Sequence, residues 1–204
     1  MQGKFITLEG IEGSGKSTNL ETIKAILDQE KIDYVVTREP GGGPLGSDLR
    51  KLLLDKDQSI SPSVEMLLMM ADRKDHVDNL INPNLDKGIW VISDRYLDST
   101  IAYQGGGRQL DINLIISLSV ALKLPTPDFT LLFDLPVDIA LQRAAERSAL
   151  DRFEREPLDF HSRIRDSYLE LASNNHRIKT VDSSKDIKFV SKQVEKYLTG
   201  FLNA

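Results

Sequence analysis

The amino end of the chain carries the segment whose residue types most clearly indicate chemistry. It reads Gly10-Ile11-Glu12-Gly13-Ser14-Gly15-Lys16-Ser17 and matches the pattern G-x-x-x-x-G-K-[ST]. Glycines let successive backbone N–H groups converge on phosphate oxygens, and a helix that begins there adds partial positive charge. Lys16 would then bridge the β- and γ-phosphates of a nucleoside triphosphate, and the Ser17 hydroxyl would bind Mg²⁺. We favour this interpretation over a chance glycine-rich turn.

Two further segments place charged residues directly after apolar runs. Asp94-Arg95-Tyr96 follows one run, and Thr37-Arg38-Glu39-Pro40-Gly41-Gly42 includes the end of another. A carboxylate at the end of a parallel strand is suited to hold Mg²⁺ directly or through water, which makes Asp94 a metal candidate. An arginine beside it suits a second phosphate, because a guanidinium binds oxyanions through two hydrogen bonds. Taken alone, the two segments are also compatible with a surface Asp–Arg pair and an ordinary turn.

These groups need a scaffold in which several strand ends meet, and the apolar pattern indicates one. Short runs rich in β-branched and aromatic residues predict strands at 4–9, 33–38, 88–94, 128–134 and 177–182. Helical periodicity predicts helices at about 16–31, 46–54, 62–82, 111–123, 136–147, 157–175 and 186–202. This alternation predicts a single α/β domain over residues 1–204, with a five-stranded parallel sheet flanked by helices on both faces. Together with the phosphate-loop motif after its first strand, it indicates the P-loop NTPase fold. Glycine triplets at 41–43 and 105–107 are expected in loops that turn sharply or approach other groups closely.

Composition excludes several classes of function. The 204 residues are 40% apolar and 28% charged, which is typical of a globular protein, and the net charge of −5 argues against nucleic acid or an anionic membrane as a partner. The chain has no Cys, so disulfides and Cys nucleophiles are excluded. No apolar run approaches about 18 residues, and the amino end lacks the layout of a signal peptide, so we expect a cytoplasmic protein.

A phosphate loop alone does not identify the phosphoryl acceptor. The guanine-reading pattern Asn-Lys-x-Asp is absent, which argues against a GTPase, and the chain is short for a motor ATPase. A small-molecule kinase and a nucleotide-dependent regulatory switch remain. A switch needs no second anion site, so the arginines at positions 38 and 95 favour the kinase.

In the order and spacing of its motifs the chain closely resembles the bacterial thymidylate kinases, almost from end to end. The stretches that carry the resemblance are 8–18, 37–42, 71–73, 94–96, 99–108 and 150–154. The resemblance implies ATP-dependent phosphorylation of dTMP to dTDP, for dTTP synthesis, with Mg²⁺ and in a homodimer. Another nucleotide or nucleoside kinase is the alternative within the same class.

The resemblance also assigns residues. The residues implied for ATP binding are Gly10, Ile11, Glu12, Gly13, Ser14, Gly15, Lys16, Ser17 and Thr18, and those implied for dTMP binding are Arg38, Met69, Arg73, Arg95, Thr100, Tyr103 and Gln104. The residues implied for catalysis are Lys16, Arg95, Arg152 and Glu12, and those implied for the metal are Ser17 and Asp94. Arg38 and Arg95 would hold the dTMP phosphate, and Arg73 would reach a thymine carbonyl. Tyr103 would exclude a ribose 2′-hydroxyl. Met69 stands where the family commonly has a Phe stacked on thymine, and its polarizable sulfur can still pack against a ring.

The resemblance further implies a basic lid at about 143–157 over the ATP phosphates, and an adenine-binding loop at 182–185. This chain has Gly13 where one branch of the family carries a phosphate-loop arginine, so a lid arginine is expected to stabilise the transferring phosphoryl group. We expect Arg152 to do this, with Arg147 second, and Arg143 to cap the carboxyl end of its helix.

Two expectations concern the surface of the molecule. Residues 110–124 and 64–71 are apolar around more than one helical face, which favours a homodimer over a helix covered within one chain. His76, His161 and His176 lack the spacing of metal ligands and are expected at the surface.

Overall fold

The computed structural model describes residues 3–147 and 151–203, and it is built around a sheet of five parallel strands. They are β1 (Phe5–Glu9), β2 (Tyr34–Arg38), β3 (Trp90–Asp94), β4 (Phe129–Asp134) and β5 (Ile178–Asp182). Their order across the sheet is β2-β3-β1-β4-β5, so β1 is central. The predicted five-stranded parallel sheet is confirmed, and each strand begins one or two residues later than the sequence pattern indicated.

Helices connect the strands. They are α1 (Lys16–Gln29), α2 (Gly46–Leu54), α3 (Pro62–His76), α4 (Asn82–Asp86), α5 (Leu97–Thr100), α6 (Ile112–Ala121), α7 (Val137–Arg147), α8 (Leu158–Asn174) and α9 (Ile187–Leu202), with π-helical segments at Val77–Ile81 and Ile101–Gly107. The predicted helix 62–82 is therefore α3 followed by a π-helical turn and α4. It extends four residues further, to Asp86.

Helices cover both faces of the sheet because both faces of its central strands are apolar. On one face, Ile23 of α1 and Val194 of α9 pack with Leu8 in a fully buried cluster. On the other face, Ile164 of α8 packs with Leu132. Successive strand residues point to opposite faces, so a strand covered on both sides is an almost continuous apolar run.

The strand register brings the charged strand ends together. Leu8 of β1 is level with Asp94 of β3, and Asp94 is level with Arg38 of β2. Because parallel strands end at the same edge of a sheet, the phosphate loop, Asp94 and Arg38 all emerge there. The fold thus assembles at one edge three groups that lie up to 84 residues apart.

The glycine triplet 105–107 was expected in a loop, and that prediction is wrong. These residues end the π-helical segment Ile101–Gly107, which packs on α8. A Cβ at Gly106 would lie 2.7 Å from the Cβ of Ser167, and one at Gly107 would lie 2.6 Å from the Phe160 ring. The expected close approach is therefore present, but helix–helix packing causes it.

The expectation of surface histidines is correct only for His176, which is exposed. His76 and His161 are fully buried. His76 bonds to side chains from β2 and the following loop, whereas both ring nitrogens of His161 lack a hydrogen-bond partner in the described part of the chain. Burial lowers the pKa of His161, which favours the neutral ring.

Two helices present large apolar side chains to solvent. Val64 and Leu67 of α3 are exposed, as are Leu114, Ile116 and Val120 of α6. Val120 is the most open of them, with 71% of its surface accessible. Within residues 3–147 and 151–203, no helix has both the length and the apolar character needed to span a membrane.

Candidate active site

The glycine-rich segment between β1 and α1 folds as a loop wrapped around its own lysine. Gly13 and Gly15 have φ values of +72° and +88°, which side chains with a Cβ rarely adopt. A Cβ at Gly13 would also lie 2.1 Å from the carbonyl oxygen of Ala140. The Nζ of Lys16 donates hydrogen bonds to the carbonyl oxygens of Gly10, at 2.9 Å, and of Ile11, at 3.0 Å. The strand–loop–helix context expected of a phosphate loop is therefore confirmed.

The surroundings of Lys16 disfavour the charged form of its ammonium group. Burial and the nearby guanidinium of Arg95 lower the pKa of Lys16 to about 8, although Asp94 and Glu12 oppose the shift. A bound polyphosphate would supply the missing negative charge and would raise this pKa again. An anion bound in the loop would thus stabilise the charged form of Lys16.

A cavity of about 670 Å³ opens at the sheet edge, in front of this loop. Of the residues assigned from sequence, it is lined by Glu12, Gly13, Ser14, Gly15, Lys16, Ser17, Thr18, Arg38, Met69, Arg73, Asp94, Arg95, Thr100, Tyr103 and Gln104. Gly10, Ile11 and Arg152 do not line it. Gly10 and Ile11 instead contribute the carbonyl oxygens that hold Lys16. The volume lies within the range of ordinary small-molecule sites.

Arg95 projects across the cavity from an unusual backbone conformation. Its φ is +73°, and its backbone is held by a bond from its N–H to the Leu8 carbonyl and one from the Ser93 hydroxyl to its own carbonyl. Such left-handed conformations cost about 1–3 kcal/mol and persist where the surroundings enforce them. The guanidinium reaches the phosphate loop, where it donates to the Gly10 carbonyl at 2.8 Å and to Glu12 Oε1 at 2.8 Å.

Glu12 connects the phosphate loop to Tyr103. Its second carboxylate oxygen accepts a hydrogen bond from the Tyr103 hydroxyl, and the Tyr103 ring lies 5.0 Å from the Arg95 guanidinium. Burial alone would raise the pKa of Glu12, but the charges of Arg95 and Lys16 outweigh it and the pKa is lowered. Glu12 is therefore a carboxylate at neutral pH, fixed between two groups that face the cavity.

Arg73 is almost fully buried, and every nitrogen of its guanidinium has a partner. It donates to Glu39 Oε2 at 2.7 Å, to Thr100 Oγ1 at 2.9 Å and to the Tyr96 carbonyl at 3.0 Å. The other oxygen of Glu39 is bonded to His76 Nδ1 at 2.8 Å. His76 is therefore a buried support of this cluster, which corrects the expectation that it lies at the surface.

Gln104 is held in a second buried cluster, centred on Glu65 of α3. Its Nε2 donates to Glu65 Oε1 at 2.9 Å. Arg108 donates to both oxygens of Glu65, at 3.2 and 3.1 Å, and Arg152 donates to Oε2 at 2.7 Å. Arg152 also donates to the Leu53 carbonyl at 2.9 Å. In this structure Arg152 thus connects the predicted lid to α2 and α3.

Other parts of the predicted lid face the cavity. Asp151 and Phe153 line it, and so does Arg143. Arg143 was expected to cap the carboxyl end of α7; in the described part of the chain it donates to the Ser183 carbonyl at 2.9 Å, and the capping stays a prediction. Residues 148–150 of the lid lie outside the described residues, as does the side chain of Arg147.

The predicted adenine loop also reaches the cavity, at the end where Arg143 lies. Ser183 and Lys185 line it, together with Ile187 and Val190 of α9. The Ser183 hydroxyl is buried and has no hydrogen-bond partner in the described part of the chain. Aliphatic side chains with a few polar groups among them are the usual lining of a small-molecule site.

Several contributors to the site escaped the sequence analysis. Glu9, the last residue of β1, accepts hydrogen bonds from the backbone of Tyr96 and from the hydroxyls of Ser99 and Tyr168. Ser99 and Tyr168 in turn accept from the Arg95 guanidinium, both at 3.2 Å. Burial and the charge of Asp98 raise the pKa of Glu9 to about 7. An acidic residue that ends an apolar strand was the available signal for Glu9.

Arg50 and Glu39 were missed for a different reason. Arg50 of α2 lines the cavity and donates to the Pro40 carbonyl at 2.7 Å, and the nearby charge of Arg38 adds to burial in lowering its pKa. In the sequence Arg50 has the pattern of an ordinary surface charge, and Glu39 was quoted only as part of the segment 37–42, without a role of its own. Only their positions in the fold show that they face the site.

The residues present also fit a divalent cation. Asp94 Oδ1 is buried without a hydrogen-bond partner among the described residues, and Ser17 lines the same cavity. Mg²⁺ is commonly held by one or two protein oxygens, with phosphate oxygens and waters completing its coordination. The unpartnered carboxylate oxygen beside the phosphate loop is the observation that supports this fit.

Comparison with known proteins agrees with this geometry. A family model described as Thymidylate kinase matches residues 8–194. The thymidylate kinase of Carboxydothermus hydrogenoformans is 47% identical over 201 residues, covering 98% of each chain, and that of Marinomonas sp. is 44% identical, covering 97% of this chain and 95% of the relative. The crystal structure of thymidylate kinase from Ehrlichia chaffeensis superposes with a TM-score of 0.80 at 34% identity, covering 98% of this chain and 99% of that one. With sequence and fold matched over nearly the whole length, the chain belongs to the thymidylate kinase family.

Proposed function

We propose that the cavity in front of the phosphate loop is where this chain transfers the γ-phosphoryl group of ATP to dTMP. As a member of the thymidylate kinase family, the chain is an ATP-dependent enzyme that converts dTMP to dTDP. The proposal concerns which of its residues bind each substrate and carry out the transfer.

One observation supports the location more than any other. The carbonyl oxygen of Gly10 accepts hydrogen bonds from both Lys16 Nζ, at 2.9 Å, and Arg95 Nη1, at 2.8 Å. Two cations that share one acceptor lie within a few ångströms of each other. A donor phosphate on Lys16 and an acceptor phosphate on Arg95 would therefore be neighbours, as in-line transfer requires.

Little covalent chemistry is required of the protein. The attacking oxygen of dTMP belongs to a phosphate and is already anionic at neutral pH, so no general base is needed. Catalysis then consists of holding the two phosphates in line and balancing the charge that accumulates on the transferred group. Lys16 and Arg95 supply that charge from positions fixed before the substrates arrive.

The acceptor nucleotide would extend from Arg95 toward α3. We assign its phosphate to Arg38 and Arg95, its deoxyribose to Tyr103, and its base to Arg73, Thr100, Gln104 and Met69. Tyr103 is anchored to Glu12 by its hydroxyl, so its ring cannot move aside easily for a 2′-hydroxyl. The fixed ring supports selection of deoxyribose over ribose.

Ser17 and Asp94 would hold Mg²⁺, the Asp94 carboxylate directly or through water. When bound, the ion neutralises phosphate charge and orients the β- and γ-phosphates. Asp94 has an additional effect without the ion, because its charge opposes the lowering of the Lys16 pKa.

We further propose that residues 143–157 form a lid on a single domain. Closure over ATP would exclude water, which competes with dTMP as phosphoryl acceptor. Arg152 remains our assignment for the lid arginine that stabilises the transferring group. Because it is paired with Glu65 in this structure, that assignment requires Arg152 to leave Glu65 when ATP binds.

The exposed apolar faces of α3 and α6 support a homodimer. Leu67 of α3 and Leu118 and Leu122 at α6 line one open groove. Apolar area of this kind on two adjacent helices is typical of a subunit interface. Sedimentation at micromolar concentration should give the mass of two chains, and a monomeric mass would contradict the proposal.

A cytoplasmic location stays a prediction.

A coupled assay of ADP release, with and without dTMP, tests the proposed function. Release should depend on dTMP, and Lys16→Ala should lower it about 10²–10³-fold with any acceptor. Lys24→Ala is the matched control, because Lys24 lies on the same helix α1 but is half-exposed, pairs with Glu21 and does not line the cavity. Slow ADP release that is indifferent to dTMP would indicate a regulatory switch instead, and better use of another nucleotide would indicate a different kinase.

A further inference from the structure

Glu65 is the most completely bonded carboxylate next to the cavity, yet it does not line the cavity itself. Its side chain is fully buried, and four hydrogen bonds reach its two oxygens. Oε1 accepts from Gln104 Nε2 and Arg108 Nε, and Oε2 accepts from Arg108 Nη2 and Arg152 Nη1. In all four hydrogen bonds Glu65 is the acceptor.

This environment determines which way the amide of Gln104 points. A carboxylate between two guanidinium groups can only accept hydrogen bonds, so the group that faces it must be the Gln104 NH₂ and not the carbonyl. A flipped amide would place its oxygen against a carboxylate oxygen, with no hydrogen between them. Gln104 lines the cavity, and its carbonyl Oε1 is therefore the acceptor that remains for a ligand.

We propose that Glu65 is a positioning residue that makes Gln104 a hydrogen-bond acceptor toward the base, and so selects pyrimidines that carry a proton on N3. Thymine has an N3–H donor, whereas cytosine has a bare N3 acceptor at the same place. An acceptor held rigidly in the site can accept a hydrogen bond from thymine N3–H. With cytosine it would face the bare N3, which is also an acceptor. The proposal rests on the proposed function, and it says how the base-binding part of that site distinguishes thymine from cytosine.

The cost of a mismatch should be large because the cluster is buried. A site built to pair with one polar group rejects the analogue that lacks it more strongly than a purely apolar pocket would. In addition, Gln104 cannot adapt by rotating its amide while Glu65 remains charged. Within this cluster, Arg108 and Arg152 act on the base only indirectly, through the hydrogen bonds that they donate to Glu65.

The test measures kcat/KM for dTMP against 5-methyl-dCMP, which differs from dTMP only at the N3 edge and the neighbouring exocyclic group. In Glu65→Gln the side chain can donate as well as accept, so the Gln104 amide is free to flip. We expect the ratio of the two kcat/KM values to fall about tenfold. Glu156→Gln is the matched control, because Glu156 also pairs with Arg108, at 2.6 Å, but has no bond to Gln104. It should leave the ratio unchanged, whatever its effect on turnover.

A double-mutant cycle separates positioning from a general structural effect. Gln104→Leu should also lower the ratio, and adding Glu65→Gln to it should lower the ratio no further, because Glu65 acts through Gln104. Additive losses, or an unchanged ratio in Glu65→Gln, would overturn the proposal. If Glu65→Gln does not fold, Glu65→Asp keeps the negative charge but draws the carboxylate back from Gln104, and it too should lower the ratio. Failure of the proposed function would look different, since wild-type protein would then show no ADP release dependent on dTMP.

Discussion

The two ends of the cavity are built by different means. At the phosphate end, Lys16 is held by carbonyl groups five and six residues before it, within one strand–loop–helix unit. At the base end, Arg73 is held by Glu39, and Gln104 by Glu65, partners 34 and 39 residues apart. The phosphate end thus uses local backbone geometry, and the base end uses side chains brought together by the whole fold.

This difference fits what we propose that each end recognises, phosphates at the first and the base at the second. A phosphate is a symmetric anion, so converging N–H groups and one or two cations suffice, and a short segment can provide them. A base differs from its competitors in the position of single protons. Reading it requires donors and acceptors of fixed orientation, which buried and fully bonded clusters supply.

Arg152 gives the strongest test of the difference between the two ends, because it lies in the proposed lid but is bonded to Glu65 at the base end. As the lid arginine, its loss in Arg152→Ala should lower kcat by a factor of about 10³–10⁵, with a much smaller effect on dTMP binding. Single-turnover rates and dTMP titration would measure the two separately. If kcat survives while discrimination between dTMP and 5-methyl-dCMP weakens, Arg152 serves Glu65 alone. If Arg152→Ala keeps its turnover and Arg147→Ala loses turnover with normal selectivity, Arg147 is the lid arginine instead.

Arg95 lies at the boundary between the two ends, and its loss should weaken dTMP binding or slow the transfer while leaving the ATP site intact. Arg95→Ala removes a charge-assisted clamp, so kcat/KM for dTMP should fall roughly 30- to 1,000-fold, or about 2–4 kcal/mol. ATP affinity, measured by titration without dTMP, should change little. Arg165→Ala is a suitable control, because Arg165 pairs with Asp134 and does not line the cavity. Unchanged saturation by dTMP would contradict the assignment.

The phosphate end should also respond to pH. Since the pKa of Lys16 is lowered to about 8, the free enzyme loses this cation as pH rises through 8. At saturating dTMP, kcat/KM for ATP should therefore be constant below about pH 7.5 and fall about tenfold per unit well above pH 8. In Lys16→Arg, which stays charged, that fall should disappear even if the rate is lower. A flat wild-type profile to pH 9.5 would contradict the role of the Lys16 charge.

The smallest expected effect concerns Tyr103, which we assign to the sugar between the two ends of the cavity. Tyr103→Ala removes the ring and should raise activity on ribothymidine monophosphate relative to dTMP, by several-fold. Tyr103→Phe keeps the ring and removes only the bond to Glu12, so it should retain most of the preference for deoxyribose. Equal ratios in the wild type and in Tyr103→Ala would refute the steric role.

Much of the phosphate end could be predicted because its information is local. The motif from Gly10 to Ser17 contains its own glycines, its own lysine and the start of its own helix, and the apolar runs before and after it predict the parallel sheet. Asp94 and Arg38 could be added because parallel strands end at one edge, and their register confirms it. Resemblance to a family then named the base-reading residues without showing what holds them.

What holds them was decided by the tertiary structure. His76, expected at the surface, is buried against Glu39, and Glu65, which the sequence did not single out, accepts from residues 39, 43 and 87 positions away. A charged residue in a helix has the same local pattern whether it faces solvent or a buried arginine, since periodicity records only the apolar face. The sequence therefore determined the loop that we propose binds phosphate, through backbone geometry encoded in consecutive residues. The orientation of the groups that we assign to the base depends on partners that only folding brings within hydrogen-bond distance.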